Sequence, residues 1–556
     1  MDKTALLAPV RDDYGPEHAP HLPRAPRDGE QFAVFARQRR RGVAILVFAF
    51  SLGSLYGIWA VFSKSWVWLP LALSLLILVP WSVCTLVLTM IRPSVDPGAH
   101  DAAFCGTSED HAQVDVFLPV CGEDLDVLAN TFDHVAALAW RGWVQVYVLD
   151  DSHSPAVRAL ARARHFHYLA RPNRGEFKKA GNLNYALEHS RGEYIVVFDA
   201  DFAPAPGFLA HVIPYFADPR VGIVQTAQYF DTGRSRTANW MARYAGAIQD
   251  SFFTWVQPHR DTIGSALCVG TNVAYRRAAL ETADGWTRIE GGEDVITGIA
   301  VMTHGYRVAY VPLNLAKGLC PDTFRATVNQ QYRWCKSSLD LVYPPTRKNV
   351  IWQVFRGCKM TLVQRVSYLT GTLYYLQSIL VLMIAVAPSL VMLWVYPYEI
   401  GPGNYLPILP AMAGMLAMPA MIRGWRPQML RLVMIYSVAH LLAGVDTLLG
   451  RSAAWVPSGA SKHRNLTPLF ASIILRTWVV VTQGAAWIAL AYDVPVYKLP
   501  AYWLPLLFAA FQTVVLFPLL LPGHGVGNPG QQTTPEWSET VVLPAGGDPT
   551  RPVAAR

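Results

Sequence analysis

The sequence predicts an α/β domain with a parallel sheet, set between membrane-spanning helices, and three observations carry that prediction. Long uncharged apolar runs flank a polar middle region. Inside that region, strand-like and helix-like patterns alternate. Two of the strand-like runs end on closely spaced aspartates.

The chain has 556 residues, 52% hydrophobic and only 15% charged, a balance too apolar for an ordinary soluble protein. Val43 to Phe62 carries no charge over 20 residues, the length that crosses about 30 Å of hydrocarbon as a helix. A second such run covers Trp66 to Ile91, and others cover Tyr368 to Tyr396, Tyr405 to Ile422, Thr467 to Ala491 and Tyr502 to Leu521. Met429 to Gly450 is also apolar but carries Arg431, His440 and Asp446. The charge of the loop that follows it favours a helix lying on the inner leaflet. The expectation is therefore about six spans plus interfacial helices.

About 42 mostly polar residues precede the first run and end in the basic "RQRRR" of Arg37 to Arg41. That is not the pattern of a cleaved signal peptide, and the positive-inside tendency keeps this end in the cytosol. The expected divisions are a cytosolic segment 1–42, two spans in 43–92, a cytosolic domain 93–350, further membrane helices in 351–521 and a Gly-, Pro- and Thr-rich disordered tail 522–556. The seven cysteines form no CxxC pair and no zinc-ligand spacing, as reduced cytosolic thiols would. The net charge of +8 belongs mostly to basic residues at membrane ends. No basic, aromatic-interleaved run reads as a nucleic-acid surface.

In the polar region, "VDVFLPV" (Val114 to Val120) and "VQVYVL" (Val144 to Leu149) read as strands around an amphipathic helix at about Leu125 to Trp140. "FHYLA" (Phe166 to Ala170), "AGNLNYALEH" (Ala180 to His189) and "YIVVF" (Tyr194 to Phe198) repeat the unit. Such alternation predicts a parallel sheet, which binds ligands beyond the carboxyl ends of its strands. Asp150 and Asp151 follow one strand, and Asp199 and Asp201 another. Two carboxylates at i and i+2 can hold a hard divalent cation that keeps substrate phosphates in its other positions. The same residues can also turn the chain or cap a helix, and an isolated DxD does not decide between the two.

Neighbouring motifs narrow the choice. In order the region contains "VLDD" (Val148 to Asp151), "KKAGNLNYA" (Lys178 to Ala186), "FDADF" (Phe198 to Phe202), "CVGTNVAYRR" (Cys268 to Arg277), "GGEDVITG" (Gly291 to Gly298) and "QQYRW" (Gln330 to Trp334). This succession resembles the processive membrane glycosyltransferases of family 2, above all cellulose synthases and related β-glucan synthases. The resemblance covers roughly residues 40 to 525. It implies a Rossmann-like GT-A domain in the cytosol, with Asp150, Asp151 and Lys179 at a UDP-sugar donor and Asp199 and Asp201 on Mg²⁺ or Mn²⁺. Asp294 would be the general base, Gln330 and Arg333 would lie near the diphosphate, and Trp334 and Glu293 would lie at the acceptor sugar.

Each role has a physical basis beside the likeness. A planar guanidinium pairs with two phosphate oxygens, and an acceptor hydroxyl needs a carboxylate within reach to take its proton. "GGED" also suits a helix start, with acids favourably near the dipole, and Trp334 also suits an interface anchor.

The chain departs from the family at three places. Gly292 replaces the threonine of a TED motif, Phe202 stands where cellulose synthases usually carry histidine, and "WVPSGASK" (Trp455 to Lys462) only partly matches a gating loop expected at 451–465. No PilZ pattern follows. The resemblance implies an inverting enzyme that polymerises a β-linked glucan from UDP-glucose, with the growing polysaccharide and the lipid bilayer as partners and accessory subunits left open. It also implies passage of the polymer through aromatic-lined helices, with Tyr374, Tyr375, Trp394, Trp478 and Trp487 as candidates. A chitin-, hyaluronan- or mannan-type synthase, a non-processive transferase and a non-catalytic scaffold are the alternatives.

Overall fold

The computed structural model describes residues 22–32, 100, 111–232, 240–343, 359–384, 386–401, 426–451 and 466–521. The apolar runs at 43–62, 66–91 and 405–422, the gating-like loop and the tail lie outside these residues.

Seven strands form the main sheet in the order β3-β2-β1-β4-β8-β6-β9. They are β1 (Val114–Val120), β2 (Val144–Asp150), β3 (His167–Leu169), β4 (Tyr194–Val197), β6 (Val221–Thr226), β8 (Val273–Arg276) and β9 (Arg307–Val311). The alternation of side chains explains why β1 and β4 read as unbroken apolar runs. Val114, Val116, Leu118, Tyr194 and Val196 enter one core with Leu128 and Phe132. Phe117, Ile195 and Val197 enter another with Leu183 and Trp286. A strand covered on both faces has no side left for polar residues.

The sheet is mixed where the sequence suggests a parallel one. β1 to β4 are parallel neighbours, but β8 runs antiparallel to both β4 and β6. Strand periodicity carries no direction, so "VAYR" gives no warning of this reversal. Chain order reverses across β1, which has β2 on one side and β4 on the other. That is the switch point at which an α/β sheet opens a crevice. A second, three-stranded sheet, β5-β10-β7, joins β5 (Phe202–Pro204), β7 (Tyr229–Asp231) and β10 (Ala316–Leu319) beside the crevice.

The N-terminal segment is not simply a polar leader, because residues 22–32 dock on the α/β domain. Lys317 of β10 pairs with Glu30 at 2.8 Å, and Asn314 donates from its backbone N to the Gln31 carbonyl at 3.1 Å.

Four helical stretches among the described residues are long and apolar enough to cross a membrane: Leu362–Val395, Met429–Leu448, Thr467–Tyr497 and Leu499–Leu520. Three of them match runs expected to span. Met429–Leu448 is the difference, since the charge of the loop that follows it favoured a surface-lying helix. The structure instead surrounds it with other helices, and its polar groups find partners there. His440 Nδ1 lies 2.8 Å from Ser378 Oγ and its Nε2 lies 3.3 Å from Gln331 Oε1. Arg431 donates to the Val515 carbonyl, and Asp446 accepts from Tyr332 OH at 2.7 Å.

Tyr332 lies on the helix Phe324–Asp340, so its bond to Asp446 joins the α/β domain to the apolar bundle. Tyr332→Phe keeps the ring and leaves the partly exposed Asp446 carboxylate with Arg451 at 4.0 Å, and should cost about 0.5–1.5 kcal/mol. Thermal unfolding of the detergent-solubilised protein checks this; an unchanged midpoint would contradict the importance of the contact.

Candidate active site

The carboxyl ends of β1, β2 and β4 carry the acidic residues into the crevice, but the two aspartate pairs are used differently. Asp150 is fully buried, and its oxygens accept from the Ser152 and Ser154 backbone N–H groups at 2.7 and 2.8 Å and from Tyr168 OH at 2.8 Å. It fixes the loop leading to the helix Pro155–Ala163. Asp151 forms a two-pronged ion pair with buried Arg171, at 2.6 and 2.7 Å. The same guanidinium holds the Glu176 and Lys178 carbonyls.

Those carbonyls belong to a tight corner, with Phe177 and Lys178 both at positive φ, that opens the helix Lys178–Glu188. Arg171 thereby sets the direction of Lys179. Asn182 and Asn184 of the same motif work as pins, donating to the Leu149 and Trp286 carbonyls at 2.7 Å each.

Lys179 Nζ donates to Asp199 Oδ1 at 2.5 Å and to the Gly270 carbonyl at 2.8 Å. The Asp199 backbone N–H donates to Thr271 Oγ1 at 2.8 Å, so the loop of "CVGTN" is tied to the DxD corner twice. Gly270 sits at φ +77°, and an added Cβ would come within 3.0 Å of the Asp294 carboxylate. Lys179, Asp199, Gly270 and Asp294 are therefore contiguous. Burial acts to lower the Lys179 ammonium, but Asp199, Glu293 and Asp294 together hold it above its ordinary value.

Asp294 and Glu293 open the helix Glu293–Thr303. Burial and then the neighbouring Glu293 charge push the Asp294 carboxyl up to about 7. Burial also raises Glu293. Asp201 is likewise pushed to about 7, by burial and by Asp199 and Glu123. Gly292, which replaces the TED threonine, has φ +74°, and a Cβ there would lie 3.0 Å from Ser337 Cβ. The departure is thus built into the backbone, because a β-branched residue would be strained and crowded against the helix Phe324–Asp340.

Gln330, Arg333 and Trp334 lie on that same helix, at the i, i+3, i+4 spacing that shares one face. All three are half-buried. Burial lowers Arg333 to about 10, while the charge of Asp199 acts the other way. Arg333 thus lies within the field of Asp199 at the DxD corner.

Sequence reasoning missed two residues here. Glu123 follows the end of β1, accepts the Cys121 backbone N–H at 2.7 Å, is raised by burial and lies in the field of Asp199 and Asp150. Its position beyond a strand end was the available signal. Arg171 was the other, and its distance from Asp151 in sequence gave none.

Sheet order, switch point and this cluster define a GT-A-type domain. Residues 112–337 match the family described as glycosyltransferase-like family 2, and residues 281–396 match the family described as cellulose synthase. Over its α/β domain and the helices that follow, the chain is thus similar to family 2 glycosyltransferases and to cellulose synthases. It is 31% identical over 231 residues to cellulose synthase 1 of Komagataeibacter xylinus, covering 41% of this chain and 15% of that one. It is 27% identical over 278 residues to the UDP-forming cellulose synthase catalytic subunit of Xanthomonas axonopodis pv. citri, covering 48% of this chain and 36% of that one. Both matches thus span well under half of those relatives' own length. Among solved structures, a mannosyltransferase of Pyrobaculum calidifontis in complex with GDP-Man and Mn²⁺ aligns at 18% identity and a TM-score of 0.41, covering 67% of this chain and 100% of that one.

The raised carboxyls give a sign to stability. Burial and Glu293 hold the folded Asp294 carboxyl at about 7 against an ordinary 3.8, so the folded chain keeps an extra proton between those values and loses stability as pH rises across that interval, with no further loss above it. Asp294→Asn should therefore raise the thermal midpoint of chelator-treated protein most at pH 8, by roughly half as much at pH 5.5, and little below about pH 4. An equal effect at all three would contradict the assigned environment.

Proposed function

We propose that this protein polymerises a β-linked glucan from UDP-glucose at the cytosolic face of the inner membrane, with inversion at the anomeric carbon. The observation that carries the proposal is the contiguity of Lys179, Asp199, Gly270 and Asp294, with Arg333 within the field of Asp199. It combines a raised carboxyl, a cation and a DxD corner at a switch point. The curated relatives named above are cellulose synthases, which favours glucose over other sugars.

The donor set fits a divalent cation, Mg²⁺ or Mn²⁺. Glu123, Asp199 and Asp201 gather negative charge at one corner, and the carboxyl of Asp201 is raised as in a site short of positive charge. Among the described residues no group of three His, Cys, Asp or Glu side chains forms a ready-made cage. Asp199 and Asp201 would hold the ion together with substrate phosphates, as suits Mg²⁺. When bound, it stabilises the charge of the departing diphosphate.

This chain's own groups do the rest. Asp150 and Asp151 shape the uridine side, and Arg171 aims Lys179 at the donor. Gln330 and Arg333 face the diphosphate, and Trp334 offers its ring to the acceptor sugar beside Glu293. Asp294 takes the proton from the acceptor hydroxyl as that oxygen attacks C1 and the C1–O bond to UDP breaks, with the electron pair leaving on the diphosphate. On this reading the domain 93–350 passes the polymer to the helices of 351–521, near Tyr374 and Tyr375.

Purified protein in lipid, given radiolabelled UDP-glucose, UDP-N-acetylglucosamine and GDP-mannose, should make polymer from the first alone, and linkage-specific glycosidases read the product. Transfer from none of the three would overturn the proposal. Asp294→Asn should lower turnover by about 10²–10⁴-fold while UDP binding stays nearly intact; equal loss of both would make Asp294 a donor ligand. For wild type, kcat/KM should fall as pH drops below about 7, where Asp294 takes up its proton.

A further inference from the structure

The DxD corner has two supports outside its own loop, and one short segment touches both. Thr131 Oγ1, buried on the helix Leu125–Ala136, donates to the carbonyl of Ala200 at 2.8 Å. Ala200 is the residue between the two aspartates. On the other side, β5 begins at Phe202, directly after Asp201, and pairs antiparallel with β10, Lys317 facing Ala203 and Gly318 facing Phe202.

The segment 22–32 grips each support. Asn130, next to Thr131, donates to the Pro23 carbonyl at 2.8 Å. Lys317 is only 2% exposed, with its ammonium 2.8 Å from Glu30 Oε2 and 5.4 Å from the centre of the Tyr229 ring of β7. Asn314, just before β10, donates to the Gln31 carbonyl from its backbone and to the Glu30 carbonyl from its amide, each at 3.1 Å. The carboxylate that pairs with a buried lysine in the middle strand of the small sheet thus comes from 287 positions away.

We propose that residues 22–32 are an intramolecular strap that positions the Asp199–Asp201 corner, with Glu30 as its anchoring residue. The inference rests on the reading of that corner as the metal–diphosphate site. A buried ion pair that loses one member leaves an uncompensated charge, so the Lys317 ammonium without Glu30 would seek water and draw β10 away from β5. Asp201, at the entry to β5, would lose its fixed distance from Asp199. Removing both charges together leaves no such pull.

The test uses the full chain in lipid nanodiscs and the variants Glu30→Gln, Lys317→Met and their combination. Two quantities are read: hydrogen–deuterium exchange of residues 199–204 and 316–319 without metal, and the Mn²⁺ concentration that half-saturates UDP binding. Glu30→Gln should speed exchange in both stretches. It should also raise the half-saturating Mn²⁺ by about tenfold, the scale typical of losing a group that orients a metal ligand. UDP binding should recover at saturating Mn²⁺, and adding Lys317→Met should return both readings towards wild type. Unchanged exchange in Glu30→Gln would overturn the strap, as would a loss that Lys317→Met fails to relieve or faster exchange spread over the whole domain. Should wild type bind no UDP, the reading of the corner fails, and the exchange data alone still decide whether the segment holds it.

Discussion

Negative charge gathered in a small space is the constraint around which this domain is built. Glu123, Asp199, Asp201, Glu293 and Asp294 arrive from three different parts of the chain, and their mutual repulsion with burial raises four of their carboxyls. The fold accepts that cost by fixing the backbone around them. Lys179 joins Asp199 to the Gly270 carbonyl, Gly270 yields room for Asp294, and Thr271 and Thr131 hold the DxD backbone from either side. Functional sites are where such local cost is expected, offset by rigid surroundings.

How much of this was legible depended on whether a feature is local in sequence. β1, β2 and β4 were readable because burial on both faces demands continuous apolar residues, and their ends located the acids. The direction of β8 was not readable, since the same residues suit either direction. The ion pair of Asp151 was hidden too, because its partner Arg171 lies on the far side of a helix and a strand. Gly292 looked like a loss from a motif and proved to be a backbone requirement. For Met429–Leu448 the basic loop that follows pointed to a surface-lying helix, while its contacts to Ser378, Gln331 and Tyr332, distant in sequence, were not readable.

The apolar bundle meets the α/β domain through hydrogen bonds as well as packing. Arg260 donates to the Ser265 carbonyl at 3.1 Å and to the Ser367 carbonyl at 2.8 Å, and Tyr368 OH donates to the Ala266 carbonyl at 3.1 Å. Ser367 and Tyr368 belong to the helix Leu362–Ile384. The loop they hold runs directly into Cys268 and Gly270, beside Lys179 and Asp294. A shift of that helix along its axis would therefore be felt within a few residues of Lys179 and Asp294.

The polar side chains of Met429–Leu448 also bear on how the protein is made. Arg431, His440 and Asp446 are costly in hydrocarbon when they stand alone, and their partners come from Leu362–Ile384 and Phe324–Asp340, synthesised earlier, and from Leu499–Leu516, synthesised later. A nascent chain that has just emerged can satisfy His440 and Asp446 at once, but Arg431 must wait for Val515. Among the described residues, the full pairing of this helix's polar groups is thus coupled to the arrival of Leu499–Leu516.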